Sequence, residues 1–109
     1  MTTILILEHD PAVRRLLELQ VRRLGRKPVL WLGADPAEFD VALVEPAWHP
    51  AALFARRLSV ERRQTPLVFV SVLEPRPETR ALQPVAHLVK PVRLAELDRA
   101  LSDAERRLL

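Results

Sequence analysis

Five short runs of largely apolar residues are the most regular feature of the chain. The runs are Thr3–Leu7, Val29–Leu32, Val41–Val44, Leu67–Val72 and Ala86–Val89. Short apolar runs bounded by turn residues are typical of strands that are buried on both faces, as in parallel sheets. We therefore predict five buried strands.

Segments with helical periodicity follow the first, third and fifth runs. Apolar residues three or four positions apart predict helices over Pro11–Leu24, Pro50–Arg63 and Leu94–Leu108. Asp10 suits the cap of the first helix, and Pro11 suits its first position. The residues expected to face the sheet are Val13, Leu16, Leu17, Val21 and Leu24 in the first helix, Ala51, Ala52, Ala55 and Leu58 in the second, and Leu94, Leu97, Leu101, Ala104 and Leu108 in the last.

The other two connections leave little room for a helix. The link Gly33–Phe39 has seven residues, whereas a parallel crossover usually needs about 10–12. Asp35, with Glu38 three residues later, has the form of a capping box and predicts a single helical turn there. Between the fourth and fifth strands, three prolines limit a helix over Pro77–Gln83 to about two turns.

The alternation of strands and helices indicates the fold class. Buried strands that alternate with helices predict an α/β protein with a doubly wound parallel sheet. We expect a five-stranded, flavodoxin-like sheet of order 2-1-3-4-5, with shortened second and fourth helices. The length of 109 residues suits one domain spanning 1–109.

Polar residues stand where several of the predicted strands end. They are Glu8, His9 and Asp10 after the first strand, Glu45 after the third, Ser71 near the end of the fourth, and Lys90 after the fifth. In the order 2-1-3-4-5 these strands are neighbours, so their carboxyl ends meet at one edge of the sheet. Open α/β sheets place their chemistry in the crevice at that edge.

Four segments resemble the receiver domain of bacterial response regulators, in the same order along nearly the whole chain. They read ILILEHDPAVRRLL, DVALVE, LVFVS and HLVKP. The resemblance implies a signalling module, not an enzyme, with Glu45 at the phosphoacceptor position and Ser71 as the hydroxyl of the fourth strand. It also implies that Lys90 is the lysine of the fifth strand, that the Lys90–Pro91 peptide is cis, and that His87 stands at the switch position.

The departures from the family pattern bear on function. The acidic pair that holds Mg²⁺ in receivers reads Glu8 and His9 here, although Mg²⁺ prefers oxygen ligands and imidazole suits Zn²⁺, Cu²⁺ or Ni²⁺ better. Glu45 is one methylene longer than the aspartate of the family, and phosphoryl transfer depends on close positioning. We predict a pseudo-receiver without phosphorylation, with no cofactor and at most weak Mg²⁺ binding at Glu8, Asp10 and Glu45.

Several roles stay open at this level. Glu45 could act as a permanent mimic of the phosphorylated state, form a structural ion pair with Lys90, or retain some phosphorylation. His9 and His49 could join Glu8, Asp10 or Glu45 in a transition-metal site, or be ordinary loop histidines. Trp48 could pack over the start of the second long helix or be an exposed anchor for a partner.

Composition limits the remaining classes of function. The chain has no cysteine, so it has neither disulfides nor thiol chemistry. It has no apolar run near the roughly 20 residues of a membrane span, and its start lacks the basic region of a signal peptide, so we expect a cytoplasmic protein without membrane contact. Its arginines are spread over several helices among glutamates, which favours solvated helix faces over a nucleic-acid patch.

These observations predict a stand-alone, receiver-like signalling module that acts by protein–protein contact. Because no effector domain is evident, output would pass through a signalling partner or self-association, and a homodimer is one form of this. Arg80, Asp98 and Arg99 are the predicted contacts for a partner. The alternatives are a receiver that accepts phosphate on Glu45 with Mg²⁺, and an Arg-rich regulatory protein that binds nucleic acid.

Overall fold

Five parallel strands form a single sheet whose two faces are covered by helices. The computed structural model describes residues 1–33, 38–62 and 64–109. Its strands are β1 (Thr3–Leu7), β2 (Lys27–Leu30), β3 (Val41–Val44), β4 (Leu67–Ser71) and β5 (Ala86–Val89). The order is β2-β1-β3-β4-β5, and all four pairings are parallel. The predicted flavodoxin-like sheet is therefore confirmed.

The helices of the described residues lie close to their predicted positions. They are α1 (Pro11–Arg23), α2 (His49–Glu61), α3 (Pro77–Arg80) and α4 (Leu94–Arg106). The single turn of α3 confirms that the connection between β4 and β5 holds only a short helix. The helical turn predicted to begin at Asp35 falls largely outside the described residues.

The position of β2 differs from the prediction by two residues. We expected Val29–Leu32 from hydrophobicity, but the strand is Lys27–Leu30. Its register is set by pairing with β1, in which Thr3 lies opposite Lys27 and Ile6 opposite Leu30. Because β2 is at the edge of the sheet, the proline within it is tolerated.

Alternate residues of the strands supply two separate apolar layers. Ile4 and Ile6 pack with the buried residues of α1 and α4. Leu5 and Leu7 pack with the buried residues of α2. This follows from the two-residue period of a strand, which sends successive side chains to opposite faces. The sheet thus holds the carboxyl ends of its strands between two packed layers.

Two of the leucines predicted to face the sheet do not. Leu16 is 49% exposed, because Leu17 and Val21 define the buried line of α1 and Leu16 lies beside that line. Leu108 is 43% exposed, since α4 ends at Arg106 and the chain leaves the sheet beyond it.

A partly buried arginine, Arg26, connects the turn after α1 to α4. The guanidinium of Arg26 donates to both carboxylate oxygens of Glu105, at 2.6 and 3.0 Å, and to Asp98 at 3.0 Å. The Thr2 hydroxyl donates to the same Glu105 carboxylate. The hydrogen bond from Arg26 is the main cause that holds the pKa of Glu105 below its ordinary value. This network fixes α4 against the amino-terminal half of the sheet.

We predict that Arg26→Met lowers the free energy of unfolding by about 2 kcal/mol, because it leaves two carboxylates without their shared donor. Urea unfolding followed by circular dichroism measures the change. The matched control is Arg15→Met, which breaks an exposed pair with Glu18 and should cost about 0.5 kcal/mol or less. Equal losses in the two variants would contradict the structural role of Arg26.

Candidate functional site

Three charged side chains converge where β1, β3 and β5 end. Glu8 follows β1, Glu45 follows β3 and Lys90 follows β5. Glu8 is 2% exposed and Glu45 is 4% exposed, and the Lys90 side chain is 14% exposed. We call these residues the charged triad. They are far apart in sequence, and only the parallel sheet brings them together.

The Lys90 ammonium bridges the two carboxylates. Its Nζ lies 2.6 Å from Glu8 Oε1 and 2.7 Å from Glu45 Oε2. Burial is the largest single influence on the pKa of Lys90 and lowers it. The hydrogen bonds to Glu45 and Glu8, together with the negative charges of these carboxylates, outweigh burial and raise the pKa above its ordinary value. Lys90 therefore stays charged. The ion pair with Glu45, one of the roles left open for that residue, is present together with a second ion pair to Glu8.

The second oxygen of each carboxylate accepts a hydrogen bond from the backbone two residues further on. Glu8 Oε2 accepts from the Asp10 N–H at 3.1 Å. Glu45 Oε1 accepts from the Ala47 N–H at 2.8 Å. Three of the four carboxylate oxygens of the charged triad thus accept a hydrogen bond, and the fourth, Glu8 Oε1, is compensated by its ion pair with Lys90. With two carboxylates and one ammonium, the formal charge of the triad is negative by one.

His9 lies at the solvent rim of the triad. Its Nδ1 is 3.5 Å from Glu8 Oε2, and its side chain is 57% exposed. The His9 ring packs against Trp48, with 5.4 Å between centroids, and Trp48 packs edge-on against Trp31 at the same distance. Trp48 is half-buried and directly precedes α2. These contacts favour the packing interpretation of Trp48.

The Asp10 carboxylate caps the helix that follows it. Its Oδ1 accepts hydrogen bonds from the N–H groups of Ala12 at 2.9 Å and Val13 at 3.2 Å. This confirms the predicted cap of α1. Since the carboxylate is directed to the start of the helix, its bonds are separate from those of Glu8 and Glu45.

Ser71 and His87 hold the loop between β4 and α3. The Leu73 N–H donates to Ser71 Oγ at 3.1 Å, and His87 Nε2 lies 2.9 Å from the Leu73 carbonyl oxygen. A carbonyl only accepts, so Nε2 carries the hydrogen. The His87 ring also packs edge-on against Phe69, 6.1 Å between centroids. Both side chains line a small cavity of about 90 Å³ beside Ala47, and their bonds are with Leu73 rather than with the charged triad.

The predicted partner residues have different surroundings. Arg99 lines an open groove of about 350 Å³ between β5 and α4, together with Leu88 and Ala100. Arg80 is exposed on α3. Asp98 accepts from Arg26 and so belongs to the network that fixes α4. Of the three, Arg99 is the one placed beside an apolar groove.

The geometry gives no support to a transition-metal site at His9 and His49. Within the part of the chain that the structure describes, no group of three or more His, Asp or Glu side chains could hold a metal ion. His49 is an exposed residue at the start of α2.

Two contacts were missed at the sequence level. Nothing in the sequence indicated that His9 packs on Trp48, apart from the position of Trp48 just before a helix. The sequence contained only a weak indication of the Arg26 network, namely the position of Arg26 directly after Gly25 in the turn that follows α1. Its partner Glu105 is 79 positions away and could not be identified from the sequence. The cis peptide between Lys90 and Pro91 is as the resemblance implied.

Solved structures that match this chain are receiver domains. The receiver domain of a modulated diguanylate cyclase from Desulfovibrio desulfuricans G20 is 20% identical, with 99% of this chain and 97% of that chain covered and a TM-score of 0.83. A chemotaxis protein from Vibrio cholerae is 19% identical, with 95% and 98% covered and a TM-score of 0.81. The chain has the receiver-domain fold.

A third match carries a metal. The receiver domain of a sensor histidine kinase from Pseudomonas aeruginosa PAO1, with a magnesium ion coordinated in its active-site cleft, is 23% identical, with 94% of this chain and 96% of that chain covered and a TM-score of 0.75. No family model and no curated protein sequence matches the chain. At these identities the likeness concerns the fold. Among the described residues, no helix is long and apolar enough to cross a membrane.

The donors of this chain do not fit such a magnesium ion. The oxygens of Glu8 and Glu45 that face each other are bound by the Lys90 ammonium. The residue after Glu8 is a histidine, whose side chain is 57% exposed, and the Asp10 carboxylate caps α1. Mg²⁺ requires several oxygen ligands in octahedral geometry, and this set, with an imidazole next to Glu8 and the Asp10 carboxylate bound to the start of α1, does not offer them.

We predict that Lys90→Met lowers the free energy of unfolding by about 3 kcal/mol, since it leaves two buried carboxylates facing each other. Glu45→Gln keeps the shape of the side chain and leaves Lys90 paired with Glu8, so it should cost about 1 kcal/mol. Urea unfolding at neutral pH measures both. A loss in Glu45→Gln as large as that in Lys90→Met would contradict the bridging role of the ammonium.

Proposed function

We propose that this protein is a receiver-like signalling module that works without phosphorylation and acts through protein–protein contact. The observation that carries the proposal is the charged triad, in which the Lys90 ammonium bridges the buried carboxylates of Glu8 and Glu45. The chain has the receiver-domain fold, and in this proposal the charged triad is the place where its chemistry differs from that of a phosphorylated receiver. The module is not an enzyme in this proposal.

The surroundings of Glu45 support the loss of phosphorylation. Both of its carboxylate oxygens already accept hydrogen bonds, one from the Ala47 N–H and one from Lys90. An attacking oxygen would have to give up one of these bonds and then find a donor phosphoryl group in line with it. The Lys90 ammonium, which could neutralise an incoming phosphoryl group, is already engaged by Glu45 and Glu8.

The same contacts support a pocket whose charge is permanent. Glu45 carries its negative charge without a modification, held by Lys90 and by the backbone. A carboxylate has less charge and fewer acceptor oxygens than a phosphoryl group, so any mimicry of the phosphorylated state is partial. In this proposal the surface presented to a partner is constant, rather than switched between two states.

The groove between β5 and α4 is the surface we assign to the partner. It is lined by apolar residues, and Arg99 stands at its side with Glu96 and Asp103. An apolar groove with charges of both signs at its rim suits a protein partner, either another signalling protein or a second copy of this chain. A cytoplasmic location remains part of the proposal.

We predict that the wild-type protein forms no adduct with acetyl phosphate or beryllofluoride in the presence of Mg²⁺. Glu45→Asp alone should also form none, because His9 still stands at the second acidic position of the metal site. The double variant Glu45→Asp/His9→Asp should gain the adduct. Intact mass spectrometry and fluorine NMR detect it.

An adduct on wild-type Glu45 would overturn the proposed function. An adduct on the single variant Glu45→Asp would show that the account of His9 is wrong while leaving the wild-type conclusion in place. Circular dichroism of each variant confirms that the fold is retained.

We predict that Arg99→Glu removes the interaction of the module with its partner or with a second copy, because it reverses the charge beside the β5–α4 groove. Light scattering after size exclusion and affinity capture from the native host measure the two cases. The control Arg15→Glu reverses an exposed charge on α1, far from the groove in sequence, and should have no effect. An interaction that is lost with Arg15→Glu and kept with Arg99→Glu would place the partner surface on α1.

A further inference from the structure

We propose that a groove between α2 and the β2 edge of the sheet binds an amphipathic helix of a partner protein, with acidic residues beside the apolar stripe of that helix. The groove has a volume of about 330 Å³ and is lined by Trp31, Gly33, Pro50, Leu53, Phe54 and Arg57. Strands β2 and β5 are the two opposite edges of the sheet. This surface is therefore separate from the β5–α4 groove of the proposed function and does not depend on it.

The two faces of the sheet are covered unequally. Helices α1 and α4 pack on one face, whereas α2 is the one long helix of the described residues that packs on the other. Five strands span about 19 Å between the two edges, and a helix with its side chains is about 10–12 Å wide. Since α2 contacts the central strand β3, the flank of this face near β2 has room for one more helix.

Apolar side chains stand at this flank. The partly buried Trp31 packs against Phe54, with 5.5 Å between ring centroids. Leu53 is 49% exposed on α2, and Leu32, the residue after Trp31, is 80% exposed. An indole, a phenyl ring and a leucine side by side suit the apolar stripe of a helix.

The backbone of β2 disfavours an added strand as the occupant. The N–H groups of Lys27 and Trp31 donate to the carbonyl groups of Thr2 and Ile6, on the side of β1. Successive residues of a strand direct their backbone groups to alternate sides, so Pro28 faces the open edge and has no N–H to donate. A helix needs no such donor, because its backbone groups are paired internally.

The charge at the rim of the groove favours acidic residues on the partner. Arg57 is the charged side chain among the described residues that line the groove. Its guanidinium lies over the Phe54 ring, 5.1 Å from the centroid, and its Nε is 4.0 Å from a carboxylate oxygen of Glu61. Both members of this pair are exposed, and such pairs contribute little. A guanidinium has five N–H donors, so a carboxylate of the partner helix can bind beside Glu61.

A second copy of this chain fits the groove less well. Its α1 exposes Leu16 and Leu19, at 49% and 47%, and so has an apolar stripe of its own. However, Arg15 and Arg23 are exposed beside these leucines. They would bring positive charge to Arg57, and like charges at an interface are unfavourable.

The test uses two synthetic peptides of about 16 residues that contain no tryptophan. Both are patterned as amphipathic helices with a leucine stripe, and one has glutamate beside the stripe where the other has lysine. Trp31 and Trp48 are the two tryptophans of the protein, and they report binding because Trp31 lines the groove and packs against Trp48. The glutamate peptide should shift the tryptophan emission saturably and bind about fivefold more tightly than the lysine peptide.

Variants of α2 locate the binding site. Leu53→Glu should weaken binding of the glutamate peptide about tenfold or more, because an apolar contact becomes a repelling charge. Arg57→Glu should reverse the preference, so that the lysine peptide binds more tightly. The matched control is Val60→Glu, which changes a residue that is 71% exposed and does not line the groove, and it should leave both affinities unchanged. Circular dichroism confirms that each variant is folded.

The proposal is overturned if neither peptide shifts the tryptophan emission, or if Leu53→Glu binds the glutamate peptide as tightly as the wild type does. It is also overturned if a proline-rich peptide shifts the emission and the helical peptides do not. Self-association of the wild type that Leu53→Glu abolishes, measured by sedimentation, would make a second copy the occupant and overturn it as well. The proposed function fails by a different result, an adduct on wild-type Glu45.

Discussion

The bridge from Lys90 to Glu8 and Glu45 is the contact on which the functional edge of this protein depends. It joins the ends of three strands, and it satisfies two carboxylates that are almost fully buried. A buried ion pair is not a strong source of stability, because desolvation opposes the attraction of the charges. Its importance here lies in position: one ammonium determines which groups the two carboxylates can bind.

Other polar side chains at this edge of the sheet form hydrogen bonds with nearby backbone groups and not with the bridge. Asp10 caps α1, while Ser71 and His87 hold Leu73 in the loop after β4. These polar side chains are therefore engaged in bonds with neighbouring backbone groups. The chain has the receiver-domain fold, and its carboxyl edge is held together by such local bonds and by the charged triad.

Similarity of fold does not by itself establish similarity of chemistry in this chain. Receiver domains with 19–23% identity superimpose on nearly the whole chain, because buried apolar strands and short connections tolerate many substitutions. A metal site tolerates few, since it depends on ligand type and on distances of a few tenths of an ångström. In the function we propose, Glu45 and His9 leave the fold intact and alter the chemistry of the site.

Much of the fold follows from local pattern. Strands such as Val41–Val44 and the starts of α1 and α4 were predictable, because burial periodicity and capping act over a few residues. The register of β2 was not, since pairing with β1 outweighed the hydrophobicity of Leu32. The same holds for the site: the sequence indicated which charged residues lie at the carboxyl edge. Only the tertiary structure decided that Lys90 bridges Glu8 and Glu45 and that Arg26 binds Glu105. These contacts join residues distant in sequence, and their geometry depends on how the strands and helices pack.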